Sequence, residues 1–388
     1  MGIQTIPQEL IVMVGEQLSI KDLNNFLRTC HGLLNLFTPH LHELGLHNVG
    51  SLSALQWAAQ HGHEPLVKLA ISKGAEVNVI TKCERKFTVL HLAARSANPN
   101  LKIIQTLVKH GAEIDAKCSE LRTPLYQATW YGHAQIVEEL LKLGAGTKQG
   151  GFNGLSSLAL IAAKCGHTDC MRAFVAAGID FHHTGTSRRT ILHMAIANYS
   201  GIEMAQYLLE QKEARMTVNA KEPYGRTPLH LLMGHYDLTS AEKSKLLRPL
   251  MQFGADIHMK DIYRDTPAHY ATNRGDINSV AELIHAGFNI STKGARGDTV
   301  LHRAVRVSKR ALKSLLDLEA GRSIINIRNK KGATPLHLAV KECDRVKVAL
   351  LLQYGANSDL KDGRGRTPPE LALLRGIEFS GNLERHQC

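Results

Sequence analysis

Twenty-one histidines and seven cysteines among 388 residues are the first candidates for chemistry, because imidazole and thiolate most often hold a metal or move a proton near neutral pH. The nearest thing to a ligand cluster is Cys165-Gly166-His167-Thr168-Asp169-Cys170. A four-ligand zinc site needs a second pair at matching spacing, and none answers this one. The histidines fall into rows instead: His91, His193, His230, His269, His302 and His337 share one position of a recurring motif, and His63, His133 and His167 share another. Residues that recur once per repeat line up along a stack rather than converging on a point. The rows therefore read as structural, the first placed so that each ring can hydrogen-bond across a hairpin loop. No Gly-x-x-x-x-Gly-Lys phosphate loop, nucleophile elbow or framework of paired carboxylates appears in the chain. The expectation is a non-enzyme without metal or cofactor.

The motif that carries the rows is Lys331-Gly332-Ala333-Thr334-Pro335-Leu336-His337-Leu338-Ala339-Val340. Its equivalents open at Ser53, Thr88, Thr123, Ser157, Thr190, Thr227, Thr266, Thr299, Thr334 and Thr367, 33 to 39 residues apart. A threonine hydroxyl can accept from an orphan N–H at a helix start, and proline fits the first helical position, where no N–H is needed. Small residues such as Ala58-Ala59, Ala93-Ala94 and Ala162-Ala163 let that first helix approach its neighbour. Gly62-His63, Gly132-His133, Gly166-His167 and Gly275-Asp276 end it, and a second apolar stretch such as Ile136–Leu141 follows, closing at Gly74, Gly111, Gly144, Gly254 and Gly355. Each unit is helix, tight turn, helix, loop, and none can bury its apolar face alone.

A period near 33 built on Thr-Pro-Leu-His-x-Ala resembles the ankyrin repeat. The resemblance implies an all-α solenoid of about ten helix-turn-helix units over residues 49–376, followed by a polar tail at 377–388. The fifth and sixth units are lengthened by Glu210–Arg215 and His235–Thr239, insertions expected in loops, and Pro249 is expected to kink or delay the sixth unit's second helix.

Residues 3–48 are different. Pro7 opens a helix with Leu10, Ile11, Val14 and Leu18 at the 3.6-residue period, a second runs to Cys30 with Leu23, Phe26 and Leu27 on one face, and a third covers His31 to Phe37. So small a bundle needs a partner. Pro7-x-Glu9-Leu10, the turn into Asp22-Leu23, and Leu27-Arg28-Thr29-Cys30 resemble an F-box, with Ile6 for the usual leucine and Gly32-Leu33-Leu34 where an aromatic is frequent. The combined arrangement resembles the F-box/ankyrin proteins of filamentous fungi. That resemblance implies docking on the Skp-type adaptor of a cullin-RING ubiquitin ligase through Ile6, Pro7, Leu10, Ile11, Leu18, Leu23 and Leu27. The other reading is a helical cap over the first repeat.

By the same resemblance, ankyrin proteins bind with their hairpin tips and the concave side of their first helices. Mapped onto this chain, that surface takes in Arg122, Trp130, Tyr131, Arg189, Arg226, Arg274, Arg303 and Arg306, residue types that anchor interfaces. Trp130 and Tyr131 are adjacent at a helix end, a poor arrangement for burying both. Between Lys293 and Lys331, eleven basic residues stand against Asp298, Asp317 and Glu319, a net of +8 out of the whole chain's +12. Such a block suits an acidic or phosphorylated peptide. A solvated face without a partner is the other meaning, and nucleic acid ranks last because no aromatics interleave the charges.

The odd, scattered cysteines fit reduced thiols. Cys83 and Cys118 are repeat equivalents, about 8–10 Å apart by helix stacking and beyond disulfide reach. The early apolar run Leu10–Val14 is too short to cross a bilayer and follows no basic segment, so an intracellular protein, cytoplasmic or nuclear, is expected. The function expected is that of a substrate receptor in a ubiquitin ligase; the alternative is a scaffold or regulatory binder whose leading helices are only structural.

Overall fold

The computed structural model describes residues 54–146, 154–185, 187–198 and 201–376. The F-box-like segment, with Ile6, Pro7, Leu10, Ile11, Leu18, Leu23 and Leu27, lies outside the described residues, as does the tail 377–388. The chain divides into two compact units, Met1–Asp180 and Phe181–Cys388. Among the described residues of the first, four helix pairs follow one another: α1 (Ala54–His61) and α2 (Glu64–Ser72), α3 (Val89–Ala94) and α4 (Leu101–Lys109), α5 (Pro124–Tyr131) and α6 (Ala134–Lys142), α7 (Leu155–Cys165) and α8 (Thr168–Ala176). First helices pack on first helices and second on second, α1 on α3 on α5 on α7 and α2 on α4 on α6 on α8.

The second unit repeats the scheme. It holds α9 (Ile191–Ala197) and α10 (Ile202–Glu210), a single turn α11 (Lys212–Arg215), α12 (Pro228–Gly234) and α13 (Ser240–Gln252), α14 (Pro267–Asn273) and α15 (Ile277–His285). After them come α16 (Val300–Val307) and α17 (Lys309–Asp317), a short α18 (Glu319–Ser323), α19 (Pro335–Lys341) and α20 (Arg345–Gln353), and α21 (Pro368–Leu373). Here too α9, α12, α14, α16, α19 and α21 form one row. Among the described residues the only β-pairing is an isolated bridge between Ile80 and Thr88.

The helix starts follow from the motif. Thr88, Thr190, Thr227, Thr266, Thr299 and Thr334 hold extended backbone, and each forms a reciprocal cap with the histidine three residues on. Caps of this kind are worth about 1 kcal/mol apiece. The motif alanines Ala58, Ala59, Ala93, Ala94, Ala162 and Ala163 are buried, which is what permits the close stacking. Gly132 shows why glycine ends a first helix: its φ is +75°, and a Cβ there would come within 2.7 Å of the His167 ring of the next repeat.

Three local expectations are corrected. Ser157 does not open its unit; α7 starts at Leu155 with Gly154 before it, leaving Ser157 inside the helix. The sixth unit's second helix does not start late. Capped by Thr239 with Glu242, it runs through Pro249 to Gln252, held by buried Leu246, Leu247 and Leu250. The Glu210–Arg215 insertion is not an open loop but largely the turn α11, whose Arg215 donates to the Leu209 and Glu210 carbonyls at 2.7 and 3.1 Å and lies 4.0 Å from the Phe253 ring.

Candidate binding surfaces

The first row of histidines is fully occupied. In each described case the Thr N–H donates to the ring Nδ1, at 3.1–3.3 Å, so that nitrogen carries no proton. Nε2–H is then the donor, and it reaches a carbonyl one repeat on: His91 to Arg122, His193 to Arg226, His230 to Asp265, His269 to Asp298, His302 to Ala333 and His337 to Arg366, at 2.8–3.2 Å. The expected bond across the loop is therefore a rung between neighbours. Burial lowers the affinity of these rings for a proton, and His193 and His302 are pushed down to about 4. A neutral ring with both nitrogens engaged is neither a base nor a ligand.

The cysteine cluster fares no better as a metal site. Burial pushes the Cys170 thiol up to about 12 and raises Cys165 as well, leaving both protonated at neutral pH. Among the described residues no group of three or more His, Cys, Asp or Glu could hold a metal ion. Cys83 behaves differently and was not singled out by its sequence context. Burial works against its thiolate, but the Thr81 hydroxyl and the backbone amides of Arg85, Lys86 and Phe87 outweigh it and hold the thiol below its ordinary range.

In the first unit, three of the candidate residues gather. Trp130 and Tyr131 are 43% and 44% exposed, so neither is a core residue. Trp130 lies parallel to Tyr126 at 6.1 Å, and the Arg122 guanidinium stands 4.8 Å from that same Tyr126 ring while pairing with Glu120 at 2.7 Å. Arg95 sits 5.0 Å from the Phe87 ring and 5.6 Å from Tyr131, and donates to the Tyr131 hydroxyl at 3.2 Å. Arg95, which directly follows Ala93-Ala94 at the end of α3, was not among the residues expected from the sequence. The result is an exposed patch of aromatic rings and guanidiniums; Leu121, beside Arg122 in sequence, is exposed as well.

In the second unit the candidates divide. Arg274 donates to the Gly234 carbonyl at 2.8 Å and lies 3.0 Å from the ring of Tyr236, which is 79% exposed. The other four are clamps. Arg189 and Arg226 close on Glu222 at 3.2 and 2.6 Å, Arg303 holds Asp265 at 2.9 Å, and Arg306 pairs with Asp298, which also accepts from Asn329 at 2.8 Å. Burial opposes the charge on Glu222 and Asp298, yet the guanidiniums outweigh it and hold both carboxyls below their usual range. Arg303 and Arg306, two cations of the basic block, are thus already neutralised from within.

The stacked helix pairs, the six threonine–histidine caps and the rungs between repeats match what the comparisons find. Residues 24–118, 55–150, 158–241 and 238–324 match the family model for ankyrin repeats in three copies, and residues 331–363 match the single ankyrin repeat. The chain belongs to the ankyrin-repeat family. The first match reaches back to residue 24, into the segment read as an F-box-like head.

Among the similar proteins are E3 ubiquitin-protein ligase KEG of Arabidopsis thaliana, 28% identical over 76% of this ankyrin chain and 18% of that protein, and human Ankyrin repeat and SOCS box protein 16, 30% identical over 58% and 48%. The chain spans half the length of these relatives or less. The crystal structure of the human ASB11 ankyrin repeat domain shares the fold, with a TM-score of 0.50 and 23% identity over 60% of this chain and 97% of that one. Ankyrin repeats are non-catalytic protein-interaction modules, and no helix among the described residues is long and apolar enough to cross a membrane.

Proposed function

We propose that this ankyrin protein is a scaffold or regulatory receptor that holds another protein and performs no chemistry on it. The observation that carries the reading is the exposed pair Trp130–Tyr131, with Tyr126 stacked on the first ring and Arg95 bonded to the second. Two large aromatics held in place lose little entropy when a partner covers them, which is how a few residues come to dominate an interface. The double substitution W130A/Y131A is expected to weaken capture of the physiological partner on the order of 1,000-fold, the loss of two anchors worth about 2 kcal/mol each. Pull-down with the full chain and mass spectrometry measures this. A partner retained at wild-type affinity by a variant of unchanged helicity shows that the patch is not the interface.

A finer reading makes the scaffold a receptor of a ubiquitin ligase, with the head docked on a Skp-type adaptor and the repeats holding the target. It is favoured by the pattern Ile6, Pro7, Leu10, Ile11, Leu18, Leu23 and Leu27, and by relatives named as a ubiquitin ligase and a SOCS box protein. The ankyrin match beginning at residue 24 favours the structural cap instead. Purified adaptor is expected to bind the full chain and to lose that binding on P7A/L10A substitution, read by calorimetry. Adaptor that ignores the wild-type chain removes the ligase reading and leaves the scaffold.

A further inference from the structure

Lys221, Lys260, Lys293, Arg328 and Lys361 occupy one position in five consecutive repeats of the second unit, six residues before Thr227, Thr266, Thr299, Thr334 and Thr367. Each of the first four reaches forward to the next. Lys221 Nζ donates to the Lys260 carbonyl at 3.4 Å, Lys260 to Lys293 at 3.3 Å and Lys293 to Arg328 at 2.7 Å, and Arg328 Nη2 donates to the Lys361 carbonyl. A carbonyl fixes a cation in place without cancelling its charge. None of the five joins an ion pair among the described residues, in contrast to Arg303 and Arg306. The carboxylates next to the rungs in sequence are turned inward: Glu222, Asp261 and Asp362 are all buried, accepting from Arg226, Tyr270 and Arg366. Four rungs are exposed and Lys260 is half-buried, and at every rung but Lys293, which Gly294 follows, the outward cation is succeeded by an inward acceptor, Asn329 taking that place after Arg328.

We infer that this ladder seats an extended polypeptide segment bearing a carboxylate at every third residue. The inference rests on the reading of the chain as a protein-binding scaffold and gives it a partner chemistry. Successive repeats lie about 8–10 Å apart, the spacing of packed helices. A peptide extended in the polyproline II conformation has three residues per turn and advances about 3.1 Å per residue, so positions i, i+3, i+6, i+9 and i+12 share one face about 9.3 Å apart and meet the five rungs in register. A lysine ammonium has three donors and the ladder uses one, leaving two for the incoming carboxylate. A nucleic acid strand fits worse, because its charges come about every 3.4 Å and two of three would face no rung.

The test is fluorescence anisotropy with the full chain and two labelled 13-residue peptides of identical composition. One carries aspartate at positions 1, 4, 7, 10 and 13; the other carries its five aspartates together. The first is expected to bind about tenfold tighter at low salt, the sum of several modest exposed pairs. Wild-type protein that binds both isomers equally overturns the inference, and so does an oligonucleotide of equal charge that binds as tightly as the first peptide. K260Q/K293Q, with its melting temperature checked, is expected to bring the isomers level, whereas a variant that keeps the preference also overturns the ladder. Trp130 and Tyr131 lie in the other unit, so a partner lost on W130A/Y131A leaves the scaffold reading standing when the ladder fails.

Discussion

Between pH 6.5 and pH 4 the second unit is expected to lose several kcal/mol of stability, read as a steep fall in the thermal midpoint of its helical circular dichroism. Burial is the main reason that His193 and His302 titrate at about 4 when folded; the carbonyls of Arg226 and Ala333 work in the opposite direction and are too weak to compensate. Glu222 and Arg189 face the first ring, and Asp298, Arg306 and Lys293 face the second. In the unfolded chain the same imidazoles titrate near 6.5, so on acidification the unfolded state takes up protons that the folded state refuses. Stability is then complete above 6.5, falls through the window and stops falling from this cause below about 4. A gap of this size amounts to roughly 3 kcal/mol per ring. The carboxyls of Asp362, at about 2, and of Glu222, Asp298 and Asp276 are held low, so their contribution disappears in a separate, more acidic window. The variant H193Q/H302Q should be less stable at pH 7 but flatter in pH. A midpoint that stays level from 6.5 to 4, or a variant as steep as the parent, contradicts the assignment.

How much of this was legible beforehand depends on how local each cause is. Threonine caps, Pro335 at a helix start and the left-handed Gly132 are set within one repeat, and the period exposes them. The first histidine row could be recognised as structural, but its acceptor, the carbonyl preceding the next threonine, exists only once repeats stack. Ser157 misled because a cap was assigned from residue type alone while the chain begins α7 two residues earlier. Pro249 misled because one lost backbone bond weighs less than the burial of Leu246, Leu247 and Leu250 beside it. For the arginines, sequence shows charge but not its partner: Asp265 lies 38 residues before Arg303, so a pair formed by folding looks like a free cation in the chain. Trp130 and Tyr131 were readable because adjacency at a helix end restricts what can be buried.

Replacing Lys243 with methionine is expected to cost about 3–5 kcal/mol, among the largest effects any single substitution in the repeats should have. Lys243 is only 2% exposed, and its ammonium meets Asp276 at 3.1 Å and the Met233 carbonyl at 3.4 Å. Asp276 caps α15 through the Ser279 N–H and also accepts from the hydroxyls of Ser240 and Ser279. Burial opposes its charge, and these hydrogen bonds together with Lys243 outweigh that and hold its carboxyl below the usual range. Methionine fills the same volume as the lysine stem, so the damage in K243M is the carboxylate left without its cation and not a cavity. That distinguishes breaking a buried pair from replacing it. The double variant K243M/D276N keeps an acceptor for the Ser279 amide, removes the stranded charge and should recover most of the loss in a urea titration. If K243M alone were neutral, or if D276N restored nothing, the pair between the sixth and seventh repeats would be incidental. The expected result makes it a lock, since both partners come from different repeats and each charge is tolerated in the interior only while its neighbour stays in register.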